Sequence, residues 1–180
     1  MDIFIEQMVK KKRKMVDYAL VAIIIMLGLI LSALAVYLIL LFIPYMIFMS
    51  FIIVFAFMFF AIRIAQGTKL EYEYSVTNQF LVIDKIIAKR RRKNVVDIKI
   101  SNIDTFCKIN DKRLDKMKIN KSVFACEDYE DENTYVIVYH DPKFGTKAVA
   151  FNPNDEVLTA MRPYLKGSIV AEIYYKKKQA

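Results

Sequence analysis

From residue 18 to residue 62 the chain carries no Asp, Glu, Lys, Arg, His, Asn or Gln, and no other feature restricts its fold as strongly. Built as one helix, the run would be about 68 Å long at about 1.5 Å per residue, more than twice the roughly 30 Å hydrocarbon layer of a bilayer. Burial inside a soluble core is the competing reading. Two helices apolar on every face would then need more covering chain than the remaining residues supply. The run therefore predicts two membrane-spanning helices. Pro44, near its middle, lacks an amide donor and disfavours helix at the preceding residue, so the expected hairpin is residues 18–41 and 45–64, with Tyr37 and Tyr45 near the far interface.

The chain is 56% hydrophobic, above the roughly 45–50% of soluble proteins, and the excess sits in this block. Lys10, Lys11, Lys12, Arg13 and Lys14 precede it, Arg63 follows it, and the connection between the spans is uncharged, so the positive-inside rule puts both termini in the cytoplasm. Ala33-Leu34-Ala35 has the small-x-small form of a signal-peptide cleavage site. The long apolar stretch before it and the second span after it favour an anchor. Cys107 and Cys126 are then expected as buried thiols in a reducing compartment.

Ahead of the hairpin, residues 1–17 place Ile3, Phe4, Met8 and Val9 among Asp2, Glu6 and Gln7 and end in the basic run. This is the pattern of a short interfacial helix, or of a helical lead-in to the first span. Residues 65–180 are expected to form a cytoplasmic domain. In it Leu70, Tyr72, Tyr74 and Val76 alternate with Lys69, Glu71, Glu73 and Ser75, the two-residue repeat of a half-buried strand. Further strands are predicted at residues 80–88, at Val96, Ile98 and Ile100, and at residues 103–109, 123–127, 134–140 and 146–151, with a polar loop over 110–120. A helix over about 153–165 follows, with Asn152 as N-cap, Pro153 at its first position and Asp155 and Glu156 in the first turn. Pro163 should weaken its end, and a basic tail closes the chain.

Lys89, Arg90, Arg91, Arg92 and Lys93 are the densest charge in this domain and the candidate lipid- or partner-binding residues, at a predicted hairpin tip. A merely solvated turn is the plain alternative. Residues 127–132 are acidic but lack the regular ligand frame and turn glycine of a calcium loop. His140, the sole histidine, adjoins Asp141 without a nucleophile in a recognisable pattern. No catalytic, metal or cofactor motif is present. The net charge of +8 is partly explained by topology, and no interleaving of basic and aromatic residues marks a nucleic-acid surface.

Seven short strands and one capping helix form the element order of a pleckstrin-homology-like (PH-like) barrel or sandwich. Tyr74-Ser75-Val76-Thr77-Asn78, followed by Phe80-Leu81-Val82-Ile83, resembles the first hairpin of bacterial PH-like domains that follow paired membrane helices. The start Met1-Asp2-Ile3-Phe4-Ile5-Glu6-Gln7 and the segment from Phe151-Asn152-Pro153-Asn154 to Met161-Arg162-Pro163-Tyr164 are also similar to a family of small clostridial membrane proteins with no assigned activity. The resemblance implies an α+β protein of the bacterial inner membrane. The expected function is a non-enzymatic interaction module whose partners are membrane lipids or a membrane or cytoplasmic protein, including a further copy of the chain. The alternative is an accessory subunit of a larger membrane complex. The short, uncharged Thr77-Asn78 connection speaks against a phosphoinositide clamp.

Overall fold

Two long helices, α1 (Met15–Phe42) and α2 (Ile47–Gln66), take up the uncharged run in the computed structural model, which describes residues 3–42, 45, 47–128, 131, 133–171 and 173. The chain divides into two units, Arg13–Lys69 and Met1–Lys12 with Leu70–Ala180. Both helices are long and apolar enough to cross a membrane, with mean hydropathy 3.0 and 2.4 over their most apolar windows. The break expected at Pro44 lies outside the described residues.

Within the helical unit, Gly28 and Ser32 of α1 are buried and Ala35 is half-buried, so these small residues, at i, i+4 and i+7, lie on the face of α1 that packs on α2. A Cβ on Gly28 would lie 2.8 Å from the Cβ of Ala61, closer than carbon atoms pack, so the glycine sets the approach of the two helices. Ser32 Oγ donates to Leu29 O at 2.8 Å, which satisfies the hydroxyl inside its own helix. Asp17 Oδ2 accepts from Lys14 N at 3.1 Å and holds the first turn of α1.

Among the described residues the second unit has eight strands in two sheets that do not close into a barrel. The first sheet has the order β1-β2-β3-β4, all antiparallel, from β1 (Phe4–Lys10), β2 (Leu70–Thr77), β3 (Phe80–Ile87) and β4 (Arg91–Lys99). The second has the order β5-β7-β8-β6, from β5 (Ile103–Lys108), β6 (Lys121–Ala125), β7 (Tyr135–Asp141) and β8 (Gly145–Phe151), with β6 parallel to β8. Inner faces of both sheets share one core with α3 (Asp155–Met161), including Tyr74, Leu81, Ile83, Phe106, Ile137, Phe151 and Met161. On the other face of the second sheet, Val136, Val138, Ala148 and Ala150 are covered by Ile109, just after β5, and by Leu114, Met117 and Ile119 of the 110–120 loop.

The strand β1 corrects the helical expectation for residues 1–17 and raises the strand count from seven to eight. Ile5, Gln7 and Val9 point inward and Phe4, Glu6 and Met8 outward. Gln7 hides this alternation in the sequence because it is polar at an inward position. Both ends of its amide are engaged: Nε2 donates to Asn152 O at 2.9 Å, and Oε1 accepts from Asn154 N at 2.8 Å. Ile3 adds a reciprocal pair with Asn78, through Ile3 N to Asn78 Oδ1 at 3.0 Å and Asn78 N to Ile3 O at 2.9 Å.

The helix start is also corrected by two residues. Asn154 is the N-cap of α3, its side chain accepting from Val157 N at 2.9 Å, and Pro153 stands before the cap. Asn152 serves a polar cluster instead. Its Oδ1 accepts from Glu127 N at 2.8 Å, its Nδ2 donates to Thr134 Oγ1 at 2.9 Å, and its N donates to the Tyr74 hydroxyl at 3.2 Å. That hydroxyl donates in turn to Ala125 O. Pro163 has the expected effect, since α3 ends at Met161 and continues as a 3-10 turn, Arg162–Tyr164, before the short α4 (Gly167–Val170).

Lys147 of β8 ties the two sheets together. Its Nζ donates to Val95 O at 2.8 Å, where β4 carries an extra residue opposite Ile83 and Asp84. Burial lowers the pKa of this amine, an effect that Asp141, 4.0 Å away, partly offsets. Cys107 and Cys126 are buried. Burial raises the Cys126 thiol to about 11, so its thiolate fraction at pH 8 should be roughly a hundredfold below that of an unperturbed thiol. Maleimide labelling of the native chain, followed by mass spectrometry, should leave Cys126 intact under conditions that label it in denaturant. Equal labelling rates in the two states would contradict this.

Candidate functional site

The β3–β4 turn carries the basic cluster in an unusual backbone. Ala88 and Lys89 have φ of 52° and 57°, and Arg90 N donates to Ile87 O at 3.0 Å, so the turn is of the left-handed type that suits the twist of a hairpin. Such turns favour Asn and Gly. An Ala in the left-handed region costs roughly 1 kcal/mol. Ala88→Asn is therefore expected to stabilise the domain by up to about 1 kcal/mol, seen as a higher thermal midpoint of the full chain. An unchanged or lower midpoint would argue against this turn geometry.

Strand alternation divides the five cations. Lys89 and Arg90 lie in the turn, while Arg91, Arg92 and Lys93 open β4 opposite Ile87, Ile86 and Lys85. Arg92 shares the outer face of the sheet with Ile86, Glu71 and Lys10, its successive cross-strand neighbours. Lys89, Arg90 and Arg92 join Met8, Glu71 and Ile86 around an open cleft of about 470 Å³. Arg91 and Lys93 do not line it.

Two carboxylates on this face, Glu73 and Glu71, are buried. Arg92 Nη2 lies 2.7 Å from Glu73 Oε2, an oxygen that is otherwise buried; the contact is an ion pair without the alignment of a hydrogen bond. Glu71 is only 8% exposed yet lines the cleft, and no ion pair engages it among the described residues. The sequence pattern reads both as solvent-facing. Their burial follows from β1, whose Met8 and Lys10 sit opposite Glu73 and Glu71. No signal in β2 alone marks the difference.

The basic run before α1 is split between the units. Lys10 ends β1, Lys11 N donates to Leu70 O at 3.1 Å, and Lys12 N donates to Glu127 O at 3.0 Å while its Nζ lies 3.6 Å from Glu127 Oε1. Arg13 stacks over the Tyr18 ring at 5.7 Å, and the N–H of Lys14 is used at the start of α1.

His140 is exposed at the end of β7, and Asp141 Oδ1 accepts from Lys143 N and Phe144 N in the following turn. Those bonds, the Lys143 one first, hold the Asp141 carboxyl below its ordinary range. This is a turn-forming arrangement. Among the described residues no group of three or more His, Cys, Asp or Glu side chains is placed to hold a metal ion.

No curated protein and no solved structure matches the chain. A family model described as bacterial PH-like domain (DUF6106) matches residues 1–171, a span that runs from β1 through both apolar helices to α4. The chain therefore belongs to this family of bacterial PH-like domains.

Proposed function

We propose that the protein is a membrane-anchored, non-enzymatic PH-like interaction module at the cytoplasmic face of a bacterial inner membrane, and that the β3–β4 tip contacts lipid headgroups. One observation carries this reading. The end of the first sheet that bears the basic cleft is also the end at which the chain departs for the apolar helices and returns: Lys10, Glu71, Ile86 and Arg92 are neighbours across it, and Leu70 is paired with Ile87 beside Arg91. Only residues 67–69 separate α2 from β2. Each cation held close to an anionic leaflet adds on the order of 1 kcal/mol.

The anchor itself is supported by the outward residues of both helices. Ile23, Leu27, Phe51 and Phe55 are exposed, and a water-soluble helix pair would not leave such a surface uncovered. The pairing of β1 with β2 supports an even number of crossings, because these strands flank the helices and share one sheet. The flanking Lys10, Lys11, Lys12, Arg13, Lys14 and Arg63 favour the cytoplasmic side.

Hydrogen exchange of the full chain in nanodiscs tests the headgroup contact. Replacing phosphatidylcholine by a mixture rich in phosphatidylglycerol should slow exchange over residues 86–94, and Lys89→Glu with Arg90→Glu should remove the effect. Identical exchange in both lipids would rule the contact out. A second reading, an accessory subunit of a larger complex, is favoured by an apolar groove of about 600 Å³ between α1 and α2, lined by Val36, Leu40, Phe51, Val54 and Phe55. A discrete heteromeric particle after mild detergent extraction would support it.

A further inference from the structure

We infer that the β3–β4 cleft recognises an aminoalkyl phosphate, the headgroup of phosphatidylethanolamine, in preference to a purely anionic headgroup. The inference rests on the headgroup reading above and adds the chemistry that selects among headgroups.

Charge assignment within the cleft leads to it. Arg92 is committed to Glu73 at 2.7 Å, so Lys89 and Arg90, both exposed, remain to receive a phosphate. Glu71 is more than nine-tenths buried, has no ion-pair partner among the described residues, and opens onto the same cleft. Lys10 stands opposite Glu71 across the β1–β2 ladder but makes no ion pair with it, so a purely anionic ligand that settled on Lys89 and Arg90 would close over this carboxylate and leave it charged without a directly bonded partner, a costly arrangement in a desolvated site. A ligand with an ammonium a few bonds from its phosphate satisfies both ends, because the N–H donors meet Glu71 while the phosphate oxygens meet Lys89 and Arg90. Discrimination of this kind is strong, since a site built around a buried polar group penalises any ligand that leaves the group unmatched.

Size and surface are consistent with such a ligand. At about 470 Å³ the cleft falls within the roughly 300–1,000 Å³ of small-ligand sites, and Met8 and Ile86 supply apolar contact beside the polar groups. A quaternary choline carries the same net charge but no N–H, so it should be accepted less well than ethanolamine by a carboxylate acceptor.

The test uses the full chain in an uncharged detergent, titrated with short-chain phosphatidylethanolamine, phosphatidylglycerol and phosphatidylcholine and read by native mass spectrometry. Phosphatidylethanolamine should bind about tenfold more tightly than phosphatidylglycerol, and Glu71→Gln should bring the two within about twofold. Lys89→Gln with Arg90→Gln should weaken both. Equal or tighter phosphatidylglycerol binding by the unmodified chain overturns the inference, and that comparison needs no variant to fold. A preference that survives Glu71→Gln also overturns it. Free O-phosphoethanolamine binding as tightly as the lipid would overturn the lipid assignment. If no headgroup binds at all, the headgroup reading itself fails; binding without preference defeats only the selectivity argued here.

Discussion

Residues 70–173 expressed alone will not show a cooperative thermal transition, whereas the same residues joined to residues 3–12 through a short glycine-rich link will. The expectation follows from β1, which pairs along its whole length with β2 and buries Val9 in the main core. Full burial of a Val side chain is worth about 1.5–3 kcal/mol, and each of the hydrogen bonds made by Gln7 and Ile3 about 1 kcal/mol. Together these approach the 5–15 kcal/mol that separates a typical domain from its unfolded state. Circular dichroism melts of the two polypeptides compare them directly. If the shorter one melts as cooperatively and at the same temperature, β1 is dispensable and the eight-stranded description fails.

Phe151→Ala should destabilise the domain by about 3–5 kcal/mol. Phe151 is fully buried at the end of β8 and links an aromatic series: its ring lies edge-on to Tyr74 at 5.5 Å and stacks on Phe106 at 5.9 Å, and Phe106 lies 5.3 Å from Tyr135. These residues come from β2, β8, β5 and β7, so truncation opens a cavity where the two sheets meet. Phe124→Ala is the comparison. That ring is 48% exposed on the edge strand β6, and its loss should cost less than about 1 kcal/mol. Urea denaturation of the two variants measures the contrast, and similar costs for both would contradict the core described here.

Elements whose hydrophobic period is clean were legible in the sequence. The apolar helices announce themselves by composition, β2 by strict alternation and β7 by an unbroken apolar run, whose Tyr135, Ile137 and Tyr139 turn into the main core and Val136 and Val138 into the smaller one. The misreadings share a physical cause, which is polar side chains used over long sequence distances. Gln7 is 145 residues from the carbonyl of Asn152 that it serves, so no local pattern could mark it as an inward strand residue. Asn152 looks like a helix cap because Pro153 and two acidic residues follow it, but Glu127, Thr134 and Tyr74 claim its groups. The basic tip was readable as a charge cluster. Its division into cleft-lining Lys89, Arg90 and Arg92 and the remaining Arg91 and Lys93 depends on strand register, and the burial of Glu71 depends on a neighbouring strand from the far side of the helical segment.

The placement of β1 before α1 and β2 after α2 has a consequence in time. Lys10 and its partner Glu71 are separated by about 60 residues of intervening chain, which a ribosome adding about 5–20 residues per second makes in roughly 3–12 s. Throughout that interval the partner strand of β1 has not yet been made. The sheet nucleates only when β2 arrives, after both apolar helices have been synthesised. Completion of the first sheet thus requires the two ends of the helical segment to have come together, and a chain in which they stayed apart would keep β1 unpaired.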